Sequence, residues 1–363
     1  MLDLIKLFQY AIDEEASDIH LKAGAKPRVR VDGNLVETHF DVVTAEELQK
    51  MVGQVLTPER AKEFAASSDA DFAISAGSLG RFRGNAFRQR GEIGVVLRRV
   101  LSAVPSMEEL GLPAVVRTLA DERRGLVLVT GPTGSGKTTT LASMIDHINA
   151  TRAVHVVSIE DPIEVLHTDK MAIVNQREIG TDTADYAQAM RRVLRQDPDV
   201  ILIGEMRDPE TVWAALSAAE TGHLVLSTLH TTNATETINR IVDFFPPFQQ
   251  HQIRLTVASC LRGVICQRLL EKADDMGRVP AIEVMVMTGR IADRIVDPAS
   301  GKGETIEEMI AAGEWYGMQS FDQSLFHLYQ EGLVTLRQAM AAASRPHDFR
   351  LALENAGLVA TNV

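Results

Sequence analysis

Leu126-Val127-Leu128-Val129-Thr130, followed at once by Gly131-Pro132-Thr133-Gly134-Ser135-Gly136-Lys137-Thr138, decides the fold of this chain. A short run this apolar reads as a strand covered on both faces, as strands of parallel sheets are. The next eight residues match G-x-x-x-x-G-K-[ST]. Glycines at those places let backbone N–H groups turn inward around phosphate oxygens. A helix-forming run with Leu141, Met144, Ile145 and Ile148 follows, and its N-terminal end adds positive potential at the same point. Lys137 brings a full charge for β- and γ-phosphates, and Thr138 a hydroxyl suited to Mg²⁺.

Similar runs lie downstream: Val154-His155-Val156-Val157-Ser158-Ile159, Val200-Ile201-Leu202-Ile203 and Leu224-Val225-Leu226-Ser227-Thr228-Leu229. Helical stretches separate them, so this part reads as an α/β domain with a parallel sheet. Ligands of such sheets sit beyond the carboxyl ends of the strands. The second run ends in Glu160-Asp161-Pro162-Ile163-Glu164, the third in Gly204-Glu205, and the fourth runs from His223 to His230. Carboxylates and imidazoles are therefore expected near the phosphates, one acid to hold Mg²⁺ and another to orient or deprotonate water.

Residues 1 to about 100 mix short strands with helices. Arg28 to Val36 alternates around Asp32-Gly33, a hairpin signal, and Thr44 with Glu47 reads as a capping box. Leu4, Phe8, Ala11 and Ile12 fall near helical spacing, and residues 81–100 read as two strands joined near Gly91. A linker is placed at 101–106, leaving 107–363 as the second domain with a helical tail that includes Phe321, Leu325 and Leu328.

The 363 residues suit two domains. With 49 acidic against 37 basic residues the net charge is -12, which disfavours bulk nucleic-acid binding. Cys260 and Cys266 fit neither a disulfide framework nor zinc-ligand spacing, and read as buried thiols of an intracellular chain. The N-terminus lacks a signal-peptide pattern, and no apolar run is long enough to span a membrane.

GPTGSGKTTTL, SIEDPIE, RQDPDVILIGEMRDPET and ETGHLVLSTLHTTNA resemble the Walker A, Asp, Walker B and His boxes of secretion and pilus ATPases. ASDIHLKAGAKPRVRVDGNLV and RFRGNAFRQRG resemble that family's PAS-like N-terminal domain, so the likeness covers nearly the whole chain. The implied fold is a PAS-like α+β domain followed by a RecA-like P-loop NTPase domain with C-terminal helices. The implied reaction is Mg²⁺-dependent hydrolysis of ATP. By position, Gly131, Pro132, Thr133, Gly134, Ser135, Gly136, Lys137, Thr138 and Thr139 would hold nucleotide. Thr138 and Glu205 would hold Mg²⁺, and Lys137, Glu164, Glu205 and His230 would serve catalysis, with the duties of Glu164 and Glu205 left open. His223 and His230 would sense the γ-phosphate or link it to a neighbouring subunit. Arg81 and Arg83, alternating on one strand face, would reach nucleotide and neutralise developing charge.

Within the family the chain most resembles PilT-type retraction ATPases of type IV pili. Assembly and secretion ATPases often carry a CxxC zinc module, whereas Glu271 to Pro280 contains no cysteine, and they carry an extra N-terminal region, whereas the SDIH segment here begins at Ser17. Gly289 to Asp297 replaces the AIRNLIRE-like helix common in retraction motors, which leaves an accessory PilU-like motor or a secretion or assembly type as alternatives. The resemblance implies a cytoplasmic homohexamer at the inner face of the membrane, acting on a pilus platform protein, with a second retraction ATPase as a further partner. The acidic composition and the lack of a long apolar run lead to the expectation of no nucleic-acid partner and no membrane span.

Overall fold

The computed structural model describes residues 2–31, 33–100, 104–274, 276–298 and 303–359. The chain divides into two compact units, residues 1–103 with 164–166, and residues 104–163 with 167–363. Asp32 of the expected hairpin turn and residues 101–103 of the expected linker lie outside the described residues.

The first unit contains α1 (Leu4–Asp13), β1 (Asp18–Lys22), β2 (Arg28–Val31), β3 (Asn34–Glu37), α2 (Ala45–Val55), α3 (Pro58–Ser67), β4 (Asp69–Ser75), β5 (Arg81–Gln89) and β6 (Glu92–Val100). Among the described residues its strands form one antiparallel sheet in the order β3-β2-β1-β6-β5-β4. Thr44 and Glu47 make the expected capping box on α2. The helical stripe of α1 buries Leu7, Phe8 and Ala11, and Phe8 stacks on Phe82 of β5 with ring centroids 4.0 Å apart. Burial alternates along β5, so Arg81 and Arg83 share the face opposite the buried Phe82.

The second unit runs α4 (Ala114–Ala120), β7 (Gly125–Thr130), α5 (Lys137–Thr151), β8 (His155–Glu160), β9 (Ile173–Glu178), α6 (Tyr186–Val193), β10 (Val200–Ile203), α7 (Pro209–Glu220), β11 (Leu224–Leu229), α8 (Ala234–Asp243), α9 (Pro247–Cys260), β12 (Leu261–Glu271), β13 (Arg278–Val286), α10 (Gly289–Val296), α11 (Ile306–Ala311), α12 (Phe321–Gln330), α13 (Leu336–Ala342) and α14 (Pro346–Asn355). Its sheet has the order β13-β12-β7-β11-β10-β8-β9. All neighbours are parallel except β12 with β13.

The four apolar runs become β7, β8, β10 and β11, buried throughout apart from a half-buried His155. Their side chains alternate between two cores. Leu126 and Leu128 pack with Val212 and Leu216 of α7 on one face. Val127 and Val129 pack with Leu141, Met144 and Ile145 of α5 on the other. This double burial is why the strands read as continuous apolar runs rather than alternating ones. Strands β9, β12 and β13 were not foreseen. Ile173-Val174-Asn175-Gln176-Arg177-Glu178 is an edge strand too polar to stand out, and β12 with β13 form a long antiparallel pair.

Candidate functional site

The turn from β7 into α5 is held by its own backbone and by Lys137. Ser135 N–H donates to the Pro132 carbonyl at 3.2 Å. Lys137 Nζ donates to the carbonyls of Gly131 at 2.7 Å and Pro132 at 3.0 Å, and the side chain is almost wholly buried. Gly131 has φ +145°, and a β-carbon there would overlap the Gln267 carbonyl oxygen and Ser135 Oγ. Only glycine therefore fits at the root of the loop. Gln267 of β12 also donates to Thr140 Oγ1 at 2.9 Å, so β12 braces both the loop and the first turn of α5. Pro132, Thr133 and Gly134 are exposed, as is Thr138, while Gly136 and Thr139 are half-buried. The Ser135 hydroxyl is buried without a hydrogen-bond partner, an orphaned polar group of the kind a bound ligand satisfies.

Glu205 follows β10 at the same edge of the sheet. Its Oε2 accepts from Arg207 Nε at 2.7 Å, and its Oε1 lies 3.2 Å from His230 Nε2. The contact with Glu205 holds the Arg207 guanidinium above its ordinary pKa. Arg207 has no expected role in the GEMRDPET segment, and its place two residues beyond Glu205 is the signal that marks it. The turn carrying Glu205 is fixed from two sides. Gly204 N–H donates to the Ile159 carbonyl at 2.8 Å, and Thr228 Oγ1 of β11 donates to the Gly204 carbonyl at 2.6 Å. Tyr186 packs its hydroxyl against Gly204, and burial raises the phenol's pKa, with Asp161 adding to it. These partners tie the height of Glu205 to both neighbouring strands.

Beyond β8, Glu160 is buried and accepts from Ser158 Oγ at 2.5 Å and Gln176 Nε2 at 3.1 Å. Glu178 of β9 accepts the Ile163 N–H at 3.1 Å, fixing the backbone one residue before Glu164. Glu164 itself is exposed.

The two histidines part company. His230 follows the last residue of β11 and stands at the edge that carries the P-loop, because Leu229 pairs with Thr130. His223 precedes β11 at the opposite edge, where its carbonyl accepts the Gly125 N–H at 3.0 Å. Its Nδ1 lies 3.0 Å from the Ala218 carbonyl, and it lines a cleft of about 430 Å³ with Arg123, Arg152 and Asp199. A strand of this length separates the two by about 20 Å at ~3.3 Å per residue. The expectation that His223 senses the γ-phosphate is therefore corrected for nucleotide held by the same chain. Lys137, Glu205 and His230 share one edge; His223 does not.

Among the described residues no cluster of three or more His, Cys, Asp or Glu side chains could hold a metal by itself. The exposed Thr138 hydroxyl at the start of α5 and the Glu205 carboxylate beyond β10 are hard oxygen donors, the class of ligand that Mg²⁺ takes alongside phosphate and water. Among the same residues no helix is long and apolar enough to cross a membrane.

Residues 2–302 match the family described as Type II/IV secretion system protein. The chain is 42% identical over 348 residues to the Type IV pilus retractation ATPase PilT of Pseudomonas aeruginosa, covering 96% of this chain and 100% of that protein. It is 38% identical over 353 residues to the Type IV pilus ATPase PilU of the same organism, covering 97% and 92% respectively. A crystal structure of the pilus retraction motor PilT with bound ADP superimposes with a TM-score of 0.86 at 45% identity, covering 96% of this chain and 99% of that one. A match of this length, on a sheet whose P-loop, acid and histidine share one edge, means that the chain belongs to the Type II/IV secretion system protein family.

Proposed function

We propose that this chain is an ATP-hydrolysing motor that powers retraction of type IV pili. The observation that carries the reading is the single sheet edge bearing Lys137 on its loop, Glu205 and His230. Whole-length similarity to PilT supplies the load on which such a motor would act.

In this reading the triphosphate lies on the backbone amides between Gly131 and Thr139. Lys137 offsets charge on the β- and γ-phosphates. Magnesium would be held by Thr138 and Glu205 and would neutralise phosphate oxygens as charge moves to the leaving group. Water attacks the γ-phosphorus while the bond to the β-bridging oxygen breaks, giving ADP and phosphate. Glu164 and Glu205 are the carboxylates available to orient that water and take its proton. His230, whose Nε2 lies 3.2 Å from Glu205 Oε1, would report on the acid's engagement. His223 is left with the other proposed duty, contact with a neighbouring subunit. Arg81 and Arg83 are proposed to neutralise phosphate charge. Residues 1–100 and 107–363 would act as two domains of each subunit in a ring of six that works against a platform protein of the pilus base.

The test is deletion of the gene with counts of surface pili and of twitching. More pili with no twitching supports the proposal; loss of pili would make the chain an assembly motor. Twitching that merely weakens would favour the accessory PilU-like reading, which the 38% identity to PilU keeps open.

A further inference from the structure

We propose that Glu283 is a positioning residue for nucleotide hydrolysis, acting through a buried set of polar side chains that ties the segment after His230 to the root of the P-loop. Glu283 is the one charged residue in Ala281-Ile282-Glu283-Val284-Met285, whose other members are buried and apolar. A carboxylate is costly in such a place unless hydrogen bonds hold it. Here they do. Its Oε1 accepts the N–H of Ala234, the first residue of α8, at 2.8 Å. Its carboxyl also meets the Cys266 thiol.

Strand register extends the arrangement. Glu283 stands directly opposite Cys266 on β12, and Cys266 opposite Thr130 on β7. The Thr130 hydroxyl donates to Cys266 Sγ at 3.2 Å. Three strands thus present one lateral row that ends at the residue before Gly131. From the other side, Thr237 of α8 bonds Thr231 Oγ1 at 2.6 Å, donates to the Asn233 carbonyl at 2.7 Å, and reaches Thr130 Oγ1 at 3.5 Å. Thr130, Thr231, Thr237, Cys266 and Glu283 are all buried.

Thr231 is the residue after His230, and Ala234 is three residues further on. The short segment that carries His230 is therefore pinned at Thr231 by Thr237 and at Ala234 by Glu283. Both pins lead back to Thr130. An apolar core would bury the same area, but it would not fix where α8 begins along β13, because apolar contacts tolerate sliding and a directed hydrogen bond does not. Glu283 touches neither loop nor substrate in this arrangement, so its effect on hydrolysis passes through His230.

The inference rests on the ATPase reading, which Lys137→Ala tests separately in the same assay. The measurements are steady-state turnover of the full chain with Mg-ATP and affinity for a fluorescent ADP. Glu283→Leu and Thr237→Val are expected to lower kcat about fivefold or more while ADP affinity stays within about twofold, a pattern that separates catalysis from binding. Glu283→Gln, which keeps an acceptor for Ala234 N–H, is expected to stay within about twofold of wild type in kcat. In a His230→Ala background the Thr237→Val penalty should vanish, because the two act in one chain. Wild-type kcat in folded Glu283→Leu or Thr237→Val overturns the inference, as do equal losses in Glu283→Leu and Glu283→Gln, or additive penalties with His230→Ala. If Glu283→Leu does not fold, the Thr237→Val pair of measurements decides alone. A Lys137→Ala chain as active as wild type would sink the ATPase reading instead.

Discussion

Gly131→Ala is the sharpest test of the nucleotide loop. Residue 131 has φ +145°, and a β-carbon there would collide with the Gln267 carbonyl and with Ser135 Oγ. The carbonyl belongs to β12 of the central sheet and cannot swing aside as a flexible side chain would. Overpacking of this kind costs ~1–3 kcal/mol. Holding a non-glycine residue at that φ adds ~1–3 kcal/mol. The loop relieves both by moving, and the backbone amides that would receive phosphate move with it. Since ~1.4 kcal/mol is a tenfold change in affinity, ADP binding should weaken by at least about tenfold. Gly134→Ala is the control. Gly134 also has positive φ, +80°, but nothing lies within 4 Å of its added β-carbon. It carries only the conformational term, ~1–2 kcal/mol, and should bind more tightly than Gly131→Ala. Titration calorimetry with ADP and magnesium on both variants measures the difference. Gly131→Ala binding as wild type does, or Gly134→Ala binding worse, would refute the reasoning.

Three further outcomes are expected. Lys137→Ala removes the loop's ammonium and should abolish steady-state phosphate release, with ADP affinity reduced in the same calorimetric assay. Thr228→Val leaves the Gly204 carbonyl without its 2.6 Å donor and should lower stability by ~1–3 kcal/mol in urea melts, with turnover falling because Glu205 adjoins that carbonyl. Burial raises the pKa of Glu283, with Glu307 adding slightly, against the lowering effects of Ala234 N–H, Cys266 and Arg268. A raised carboxyl pKa means that the folded state holds the proton more tightly than the unfolded chain. That contribution to stability is full below the unfolded carboxyl range and is lost as pH rises through the folded value. Glu283→Gln cannot lose it, so the variant should melt no lower than wild type near neutral pH, with any gap closing as pH falls toward 4; thermal melts across that range would show a widening gap at low pH if the sign were wrong.

Much of the site was legible because its chemistry is local. The glycines, Lys137 and Thr138 all lie within eight residues, and the acid at 205 follows four apolar residues with only Gly204 between. The capping box at Thr44 and the paired strands β5 and β6 are likewise short-range features. The separation of His223 from the P-loop edge has a cause the sequence already contained. Leu224–Leu229 reads as one strand, and a strand puts the residues flanking its two ends on opposite edges of a sheet.

By itself the sequence determined that a parallel sheet would present a phosphate-binding turn with acids beyond the strand ends, because double-sided burial and glycine geometry are written into neighbouring residues. Which side chains share that edge, that Thr228 of β11 clamps the turn holding Glu205, that Arg207 covers one of its oxygens, and that Glu283 reaches the start of α8 were decided only by tertiary structure. These contacts join residues 24 and 49 positions apart, or turn on a side-chain direction two places along. They follow from the register between strands, which spacing along the chain does not specify.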